Sequence, residues 1–150
     1  MSAGTLSVGA AGVPDSAVVG RLVLRADALA AQASRRYVDR ACAAWGVADS
    51  YEARLIASEL VTDAHRHAEG EWVTVRASLD SEVALVRGVR RYVSSVVIEV
   101  WAPDARLPRV MEEECVRGVG IVSVIADRWG CFRVAEAHGG GKVVWATVLV

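Results

Sequence analysis

The 150-residue chain has no asparagine, only three cysteines and no hydrophobic run of membrane-spanning length. Cys42, Cys115 and Cys131 are an odd number without C-x-x-C spacing, so we expect neither a disulfide framework nor a zinc ribbon. A reducing cytoplasm is the simplest compartment for such a chain. The lack of a long apolar run predicts that the protein does not cross a membrane.

An excess of charge of one sign is also lacking, since 17 basic residues stand against 18 acidic ones and the net charge is -1. No global field would therefore attract nucleic acid or an anionic membrane, and we expect no direct nucleic-acid partner. The first twenty residues lack the basic segment and the continuous apolar stretch of a signal peptide. We predict a flexible tail at 1–20 and one globular domain at 21–150.

Two amphipathic helices are predicted in the first half of the chain, after a short strand at 21–25. The first helix ends at Gly46, and the second is capped by Asp49 or Ser50 and ends near Gly70. Apolar residues at helical spacing predict the buried side of each helix. These are Leu29, Ala33, Tyr37 and Ala41 in the first helix, and Ile56, Leu60 and Ala64 in the second.

The hydrophobic pattern changes to a period of two at Glu71, which predicts β-strands in the second half. The order of elements predicts an α+β fold, a two-layer α/β sandwich whose mostly antiparallel sheet is covered on one face by about three helices. The predicted elements are strands at 72–79, 82–89 and 92–103, a loop at 105–120, a short helix at 121–130 ended by Gly130, and a closing hairpin of 131–137 and 143–150.

The stretch SELVTDAHRHAEG places Glu59, Asp63 and His67 four residues apart, on a helical stripe beside the apolar one. A solvated polar face is the simplest interpretation. However, like charges four residues apart destabilise an isolated helix by about 0.2–0.5 kcal/mol. Mg²⁺ binds one or two carboxylates together with phosphate oxygens, so the stripe also fits one edge of a phosphoryl-transfer site. Zinc fits less well, because His65 and His67 point to different sides of a helix.

Several motifs occur in a fixed order along the chain: SELVTDAHRHA at 58–68, a strand that ends before Pro103, a G-x-G stretch at 118–120, IADRWG at 125–130, and a last strand after Gly-Gly-Lys. Together they resemble the motifs of the histidine-kinase-like ATPases, which have the Bergerat ATP-binding fold. The two longer segments are similar to those of an actinobacterial branch related to the anti-sigma-factor serine kinases. The resemblance covers about residues 21–150 and implies ATP and Mg²⁺ as cofactors.

The resemblance also implies roles for single residues. Glu59 matches the general base or water-orienting carboxylate of the family. Asp63 stands where the family has the asparagine that holds Mg²⁺, and an anionic oxygen is a suitable magnesium ligand. His67, Gly118 and Gly120 match positions around the phosphates.

At three other positions the chain departs from the family pattern. Ala102 stands in place of the aspartate that accepts a hydrogen bond from adenine, and Asp104, two residues later, is its candidate substitute. Val116 replaces the first glycine of the phosphate loop, where a Cβ obstructs close approach of the backbone to phosphate. Val143 replaces a threonine on the adenine side, and Thr147 lies further along the same face of the strand.

Two functions are compatible with this pattern. The departures favour an anti-sigma-factor-like regulatory protein that binds a sigma factor or another transcription regulator, with weakened or lost ATP binding. The alternative is an active ATP- and Mg²⁺-dependent serine/threonine kinase that phosphorylates an anti-sigma-factor antagonist. A more distant third is a metal-dependent hydrolase that uses the pair Glu59 and Asp63. The resemblance further implies that a homodimer can form.

Overall fold

The computed structural model of the protein describes residues 18–67, 71–103 and 120–150. These residues form an α+β fold with a five-stranded antiparallel sheet and three α-helices, which confirms the predicted class. None of the described helices is both long enough and apolar enough to cross a membrane. In chain order the elements are β1 (Val18–Arg25), α1 (Ala30–Ala44), α2 (Tyr51–His67), β2 (Trp72–Val86), β3 (Val89–Ala102), α3 (Gly120–Ile125), β4 (Arg128–Arg133) and β5 (Lys142–Leu149).

The strands lie in the order β1-β2-β3-β5-β4, and every neighbouring pair is antiparallel. β5 therefore lies inside the sheet, between β3 and β4. This confirms the predicted closing hairpin of the last two strands. The β-branched side chains of β5 suit an interior strand, because they pack well against neighbours on both sides.

The helices cover one face of the sheet, which we call the inner face. Val73, Val75 and Ala77 alternate along β2 and are fully buried in the same core as the helices. On α2, the predicted residues Ile56, Leu60 and Ala64 are buried in that core, as their spacing of four indicated. Burying a side chain such as Val or Leu contributes about 1.5–3 kcal/mol each, so this interface holds α2 against the sheet.

The buried face of α1 differs from the predicted one. Leu29 precedes the helix and is 68% exposed. A serine occupies the buried side of α1, and its hydroxyl donates to the Ala31 carbonyl oxygen at 2.7 Å, which satisfies the polar group locally. Of the predicted residues, Ala41 is fully buried and Tyr37 is partly buried against the same core. The residues that α1 buries are Ala30, Ser34, Val38, Ala41 and Cys42.

A two-residue turn at Arg87 and Gly88 joins β2 to β3. Both residues have positive φ angles, 52° and 78°, as a type I′ turn requires. The strand predicted at 82–89 is therefore not a separate strand, because β2 runs without a break from 72 to 86. The Arg-Gly pair is a weaker turn signal than Asn-Gly, and the chain has no asparagine to supply one.

Replacing Arg87 by asparagine is expected to stabilise the protein by about 0.5–1 kcal/mol, because asparagine tolerates a left-handed backbone better than arginine. Urea unfolding monitored by circular dichroism measures the change. Arg91→Asn serves as the matched control, since position 91 lies in the extended β3, where asparagine is disfavoured. A gain in the free energy of unfolding for both variants, or for neither, would contradict the assignment of strain to position 87.

The predicted helix at 121–130 is only partly helical. α3 ends at Ile125, and Arg128 begins β4, which pairs with β5. Trp129 opposes Ala146 across the two strands and packs against the main core. The pairing with β5 is a tertiary contact, and it overrides the local helical pattern of IADRWG.

The cysteines also differ from the expectation. Cys42 is a free, fully buried thiol on α1, and burial raises its pKa. Cys131, on β4, is disulfide-bonded. The odd number of cysteines therefore does not exclude a disulfide in this chain.

Candidate functional site

Two hydrogen bonds set the position of α2, which carries the predicted acidic stripe. The Asp49 carboxylate accepts from the backbone N–H of Tyr51 at 2.9 Å and so caps the start of the helix. Further along, Arg35 of α1 donates from Nη1 to Oγ of Ser58 at 2.8 Å. This second bond joins α1 to α2 one residue before Glu59.

The acidic stripe of α2 is not a solvated face. Asp63 is only 8% exposed, and Glu59 is half-buried. Asp63 follows Ile56 by seven residues, close to two helical turns, so it lies almost in line with a fully buried side chain. His67 is the last residue of α2, and its side chain lies outside the described residues. The two carboxylates therefore lie at the margin of the core and not opposite it.

The last residue of β3, Ala102, lies on the inner face at the position where the family has an aspartate. Ala102 is 2% exposed and belongs to the main core. A methyl group cannot accept a hydrogen bond, so this position offers nothing to the amino group of adenine. Asp104, the candidate substitute, lies outside the described residues.

A turn that contains Gly140 and Gly141 packs against the end of β3. Trp101 donates from its indole N–H to the Gly140 carbonyl oxygen at 2.9 Å. Gly141, with φ +84°, packs so closely that a Cβ there would overlap the Ala102 carbonyl oxygen. The turn therefore fixes the last residues of β3 and the first residue of β5 against each other.

Thr147 and Val143 lie on the outer face of the sheet, the face away from the helices. Val144, Ala146 and Val148 belong to the main core, so the alternate residues of β5 point the other way. The Thr147 hydroxyl contacts the backbone of Arg128, at 3.2 Å from its nitrogen and 3.5 Å from its oxygen. Thr147 is therefore not brought together with Glu59 and Asp63.

Of the glycines predicted to surround phosphate, only Gly120 is described. It begins α3, is exposed, and a Cβ there would meet no atom within 4 Å. Its backbone has no conformation that requires glycine, and its carbonyl oxygen accepts from the Ser123 hydroxyl at 2.7 Å. Gly118 and Val116 lie outside the described residues.

The described residues fit the two halves of Mg-ATP unequally. Glu59 and Asp63 supply the carboxylate oxygens that Mg²⁺ accepts alongside phosphate and water. No group of three or more histidine, cysteine or acidic side chains with metal-binding geometry occurs within 18–67, 71–103 and 120–150. Ala102 provides no polar contact for adenine, and Thr147 faces away. The described residues therefore supply two carboxylates at α2 but no polar contact for the adenine base.

Glu99 on β3 is a buried acidic residue that the sequence motifs did not identify. It is 4% exposed on the outer face, and neither of its carboxylate oxygens accepts a hydrogen bond. Arg76, opposite it on β2, places Nη1 at 3.8 Å from Oε2. Burial raises the pKa of Glu99 to about 7, although Arg76 and Arg21 lower it. A lone charged residue within the apolar stretch VVIEVWA was the signal in the sequence.

Comparisons with protein-family models, with curated proteins and with solved structures find no match to this chain. Any function must therefore be inferred from the residues of the chain itself. The acidic pair on α2 and the apolar end of β3 are the two features that bear on nucleotide binding.

Proposed function

We propose that the chain is an anti-sigma-factor-like regulatory protein of the histidine-kinase-like ATPase, or Bergerat, fold. It binds a sigma factor or another transcription regulator, and its binding of ATP is weakened or lost. The order of the motifs supports this family, as does an antiparallel sheet with helices on one face. The shielded carboxylate of Asp63, at the position of the family's metal-binding residue, supports it further.

The burial of Ala102 in the core carries the proposal that ATP binding is impaired. A site for adenine needs an acceptor for the exocyclic amino group, and an unpaired polar group costs about 1–3 kcal/mol. A loss of this size weakens the affinity by about five- to a hundredfold, since about 1.4 kcal/mol corresponds to a factor of ten. Binding of a protein partner through the surface needs no such contact.

An active serine/threonine kinase is the second candidate, and the acidic pair on α2 favours it. Phosphoryl transfer needs a bound metal and a carboxylate that orients the nucleophile. Asp63 would hold Mg²⁺, and Glu59, one turn earlier, would act as the base. In that case the substrate would be an anti-sigma-factor antagonist.

Thermal unfolding in the presence of Mg-ATP distinguishes the two candidates. With lost binding, we expect no change of Tm at millimolar Mg-ATP, and with binding weakened a hundredfold from micromolar affinity we expect a rise of only about 4 °C. A kinase with micromolar affinity would gain about 4 kcal/mol at a concentration 1,000 times its Kd. For a chain of this length that gain corresponds to a rise in Tm of roughly 10 °C.

Variants of α2 test whether any shift arises at the proposed site. Asp63→Ala should abolish a rise in Tm caused by Mg-ATP if the protein is a kinase. Glu52→Ala is the matched control, because it removes an exposed carboxylate near the start of the same helix. A large, Asp63-dependent rise would refute the proposed loss of ATP binding and would support the kinase. A complex with a co-expressed sigma factor that is insensitive to ATP would support the regulatory protein.

A further inference from the structure

Among the described residues, the hairpin formed by β2 and β3 extends beyond the rest of the sheet. In the part of β1 that is described, pairing with β2 reaches only to Ser78, and β5 pairs with β3 only from Ser95 onward. Residues 81–94, which we call the hairpin arm, form a ribbon whose two strands pair with each other. At about 3.3 Å per residue, the arm projects roughly 20 Å from the five-stranded sheet.

Large apolar side chains are exposed together on one face of the arm. Val83 opposes Tyr92, and Leu85 is the next residue on the same face of β2. These three side chains are 56%, 86% and 73% exposed, respectively. Contiguous apolar surface of this kind on a folded protein marks an interaction site more often than chance exposure does.

The β3 edge of the arm offers backbone groups for pairing. Val86 and Val89 flank the two-residue turn as a hydrogen-bonded pair, so Arg90 and Tyr92 direct their N–H and C=O groups away from β2. Ser94 follows in the same register, and its carbonyl oxygen accepts from the Val150 N–H at 2.9 Å. Among the described residues, no strand pairs with Arg90 or Tyr92 on the side away from β2.

The charge of the arm is opposite in sign to that of the chain. It contains three arginines and one glutamate, a net charge of +2, whereas the whole chain has -1. Glu82 lies 3.4 Å from Arg128 of β4 and is therefore already paired. Within the described residues, Arg87, Arg90 and Arg91 form no ion pair.

We propose that the hairpin arm binds an acidic, extended segment of a partner protein, which adds as a strand along the β3 edge beside Arg90 and Tyr92. Acidic side chains on one face of this segment pair with Arg91, and apolar side chains on its other face cover Tyr92. Strand addition of this kind takes its affinity from backbone hydrogen bonds and its specificity from alternate side chains. The proposal goes beyond the regulatory function, since it requires neither a sigma factor nor a nucleotide.

Other occupants fit the arm less well. A second copy paired edge to edge would bring the arginines at 90 and 91 close to their own equivalents, and like charges on opposing strands repel. A nucleic acid would satisfy the arginines but leave the aliphatic side chains uncovered. A lipid surface would cover those side chains but would not pair regularly with the backbone of a strand edge.

Binding of a labelled peptide of about seven residues that alternates Glu and Val tests the proposal, because this length spans the free edge. Fluorescence anisotropy with the full chain should show saturable binding that weakens as salt is added. The variant R90E/R91E should weaken binding about tenfold or more, since it replaces attraction by repulsion. Tyr92→Ala should weaken it about fivefold through loss of apolar contact.

The control variant R36E/R40E makes the same change of charge on exposed residues of α1 and should leave the affinity unchanged. Amide hydrogen exchange supplies an independent measurement: the Arg90 and Tyr92 amides should exchange more slowly when the peptide is bound. The proposal is overturned if both double variants lose binding equally, if a Lys-Val peptide binds as well, or if no binding occurs. It is also overturned if R90E/R91E leaves peptide binding unchanged and abolishes binding to a single-stranded oligonucleotide, to anionic vesicles or to a second copy of the chain. None of these results depends on the Mg-ATP titration.

Discussion

Replacing Gly141 by alanine is expected to destabilise the protein by about 3 kcal/mol or more. Two effects add at this position. The φ of +84° is a conformation that residues with a Cβ adopt at a cost of about 1–2 kcal/mol. In addition, the new methyl group would overlap the carbonyl oxygen of Ala102 and crowd Pro103, and both of those contacts are with the backbone, which moves less readily than a side chain.

Gly140→Ala is the matched control for this prediction. Gly140 also has a positive φ, +67°, but a Cβ there meets nothing within 4 Å. It should therefore show the conformational cost alone, about 1–2 kcal/mol. Urea unfolding of the two variants measures the difference, and equal losses would show that close packing against Ala102 contributes nothing to stability.

The second large effect concerns the pH dependence of stability, which Glu99 should dominate. Burial raises the folded-state pKa of this carboxyl group to about 7, from an ordinary value of 4.5. Between these values the folded state holds a proton that the unfolded state has released. Stability is therefore greatest below the unfolded-state pKa and falls as the pH rises through 7, by on the order of 3 kcal/mol in total.

Glu99→Gln removes this titration while it keeps the shape of the side chain. The free energy of unfolding of the variant, relative to wild type, should rise by on the order of 3 kcal/mol between about pH 5 and pH 8. Denaturant unfolding at several pH values gives the profile. Glu71→Gln, at an exposed position, should follow the wild-type profile throughout. Parallel profiles for wild type and Glu99→Gln would show that Glu99 is solvated or fully paired with Arg76.

Local periodicity predicted the elements whose faces differ clearly in polarity. The alternation along β2 and the spacing of Ile56, Leu60 and Ala64 on α2 both point to the core that the structure shows. The face of α1 was predicted only in part, because its buried side also contains a serine that bonds to its own helix. A pattern that counts only apolar residues cannot detect a polar group satisfied in this way.

Strand pairing and an unusual turn residue explain the other errors of sequence interpretation. The residues 128–130 pair with β5 instead of continuing α3, and nothing within that segment specifies its partner strand. The Arg87-Gly88 turn was missed, because arginine seldom occupies a left-handed turn position.

At the candidate site, sequence identified the carboxylates on α2 but not the surroundings that decide their chemistry. The burial of Asp63 depends on how α2 rests on the sheet, and no motif encodes that contact. The position of Thr147 on the outer face depends on the strand pleat. The pleat points Thr147 away from α2, although its neighbours in sequence, Ala146 and Val148, belong to the main core. Charge inside an apolar strand was the one available sign of Glu99.

The position of β5 has a consequence for synthesis of the chain. A ribosome delivers β1, β2 and β3 together with both long helices well before the strand that completes the sheet. Until β5 emerges, the nascent chain presents the β3 edge, including Val96, Ile98 and Val100, without the partner it later acquires. Exposed strand edges of this kind promote aggregation, so the yield of the protein in cells should depend on how soon translation reaches β5 and on chaperones that shield β3 meanwhile.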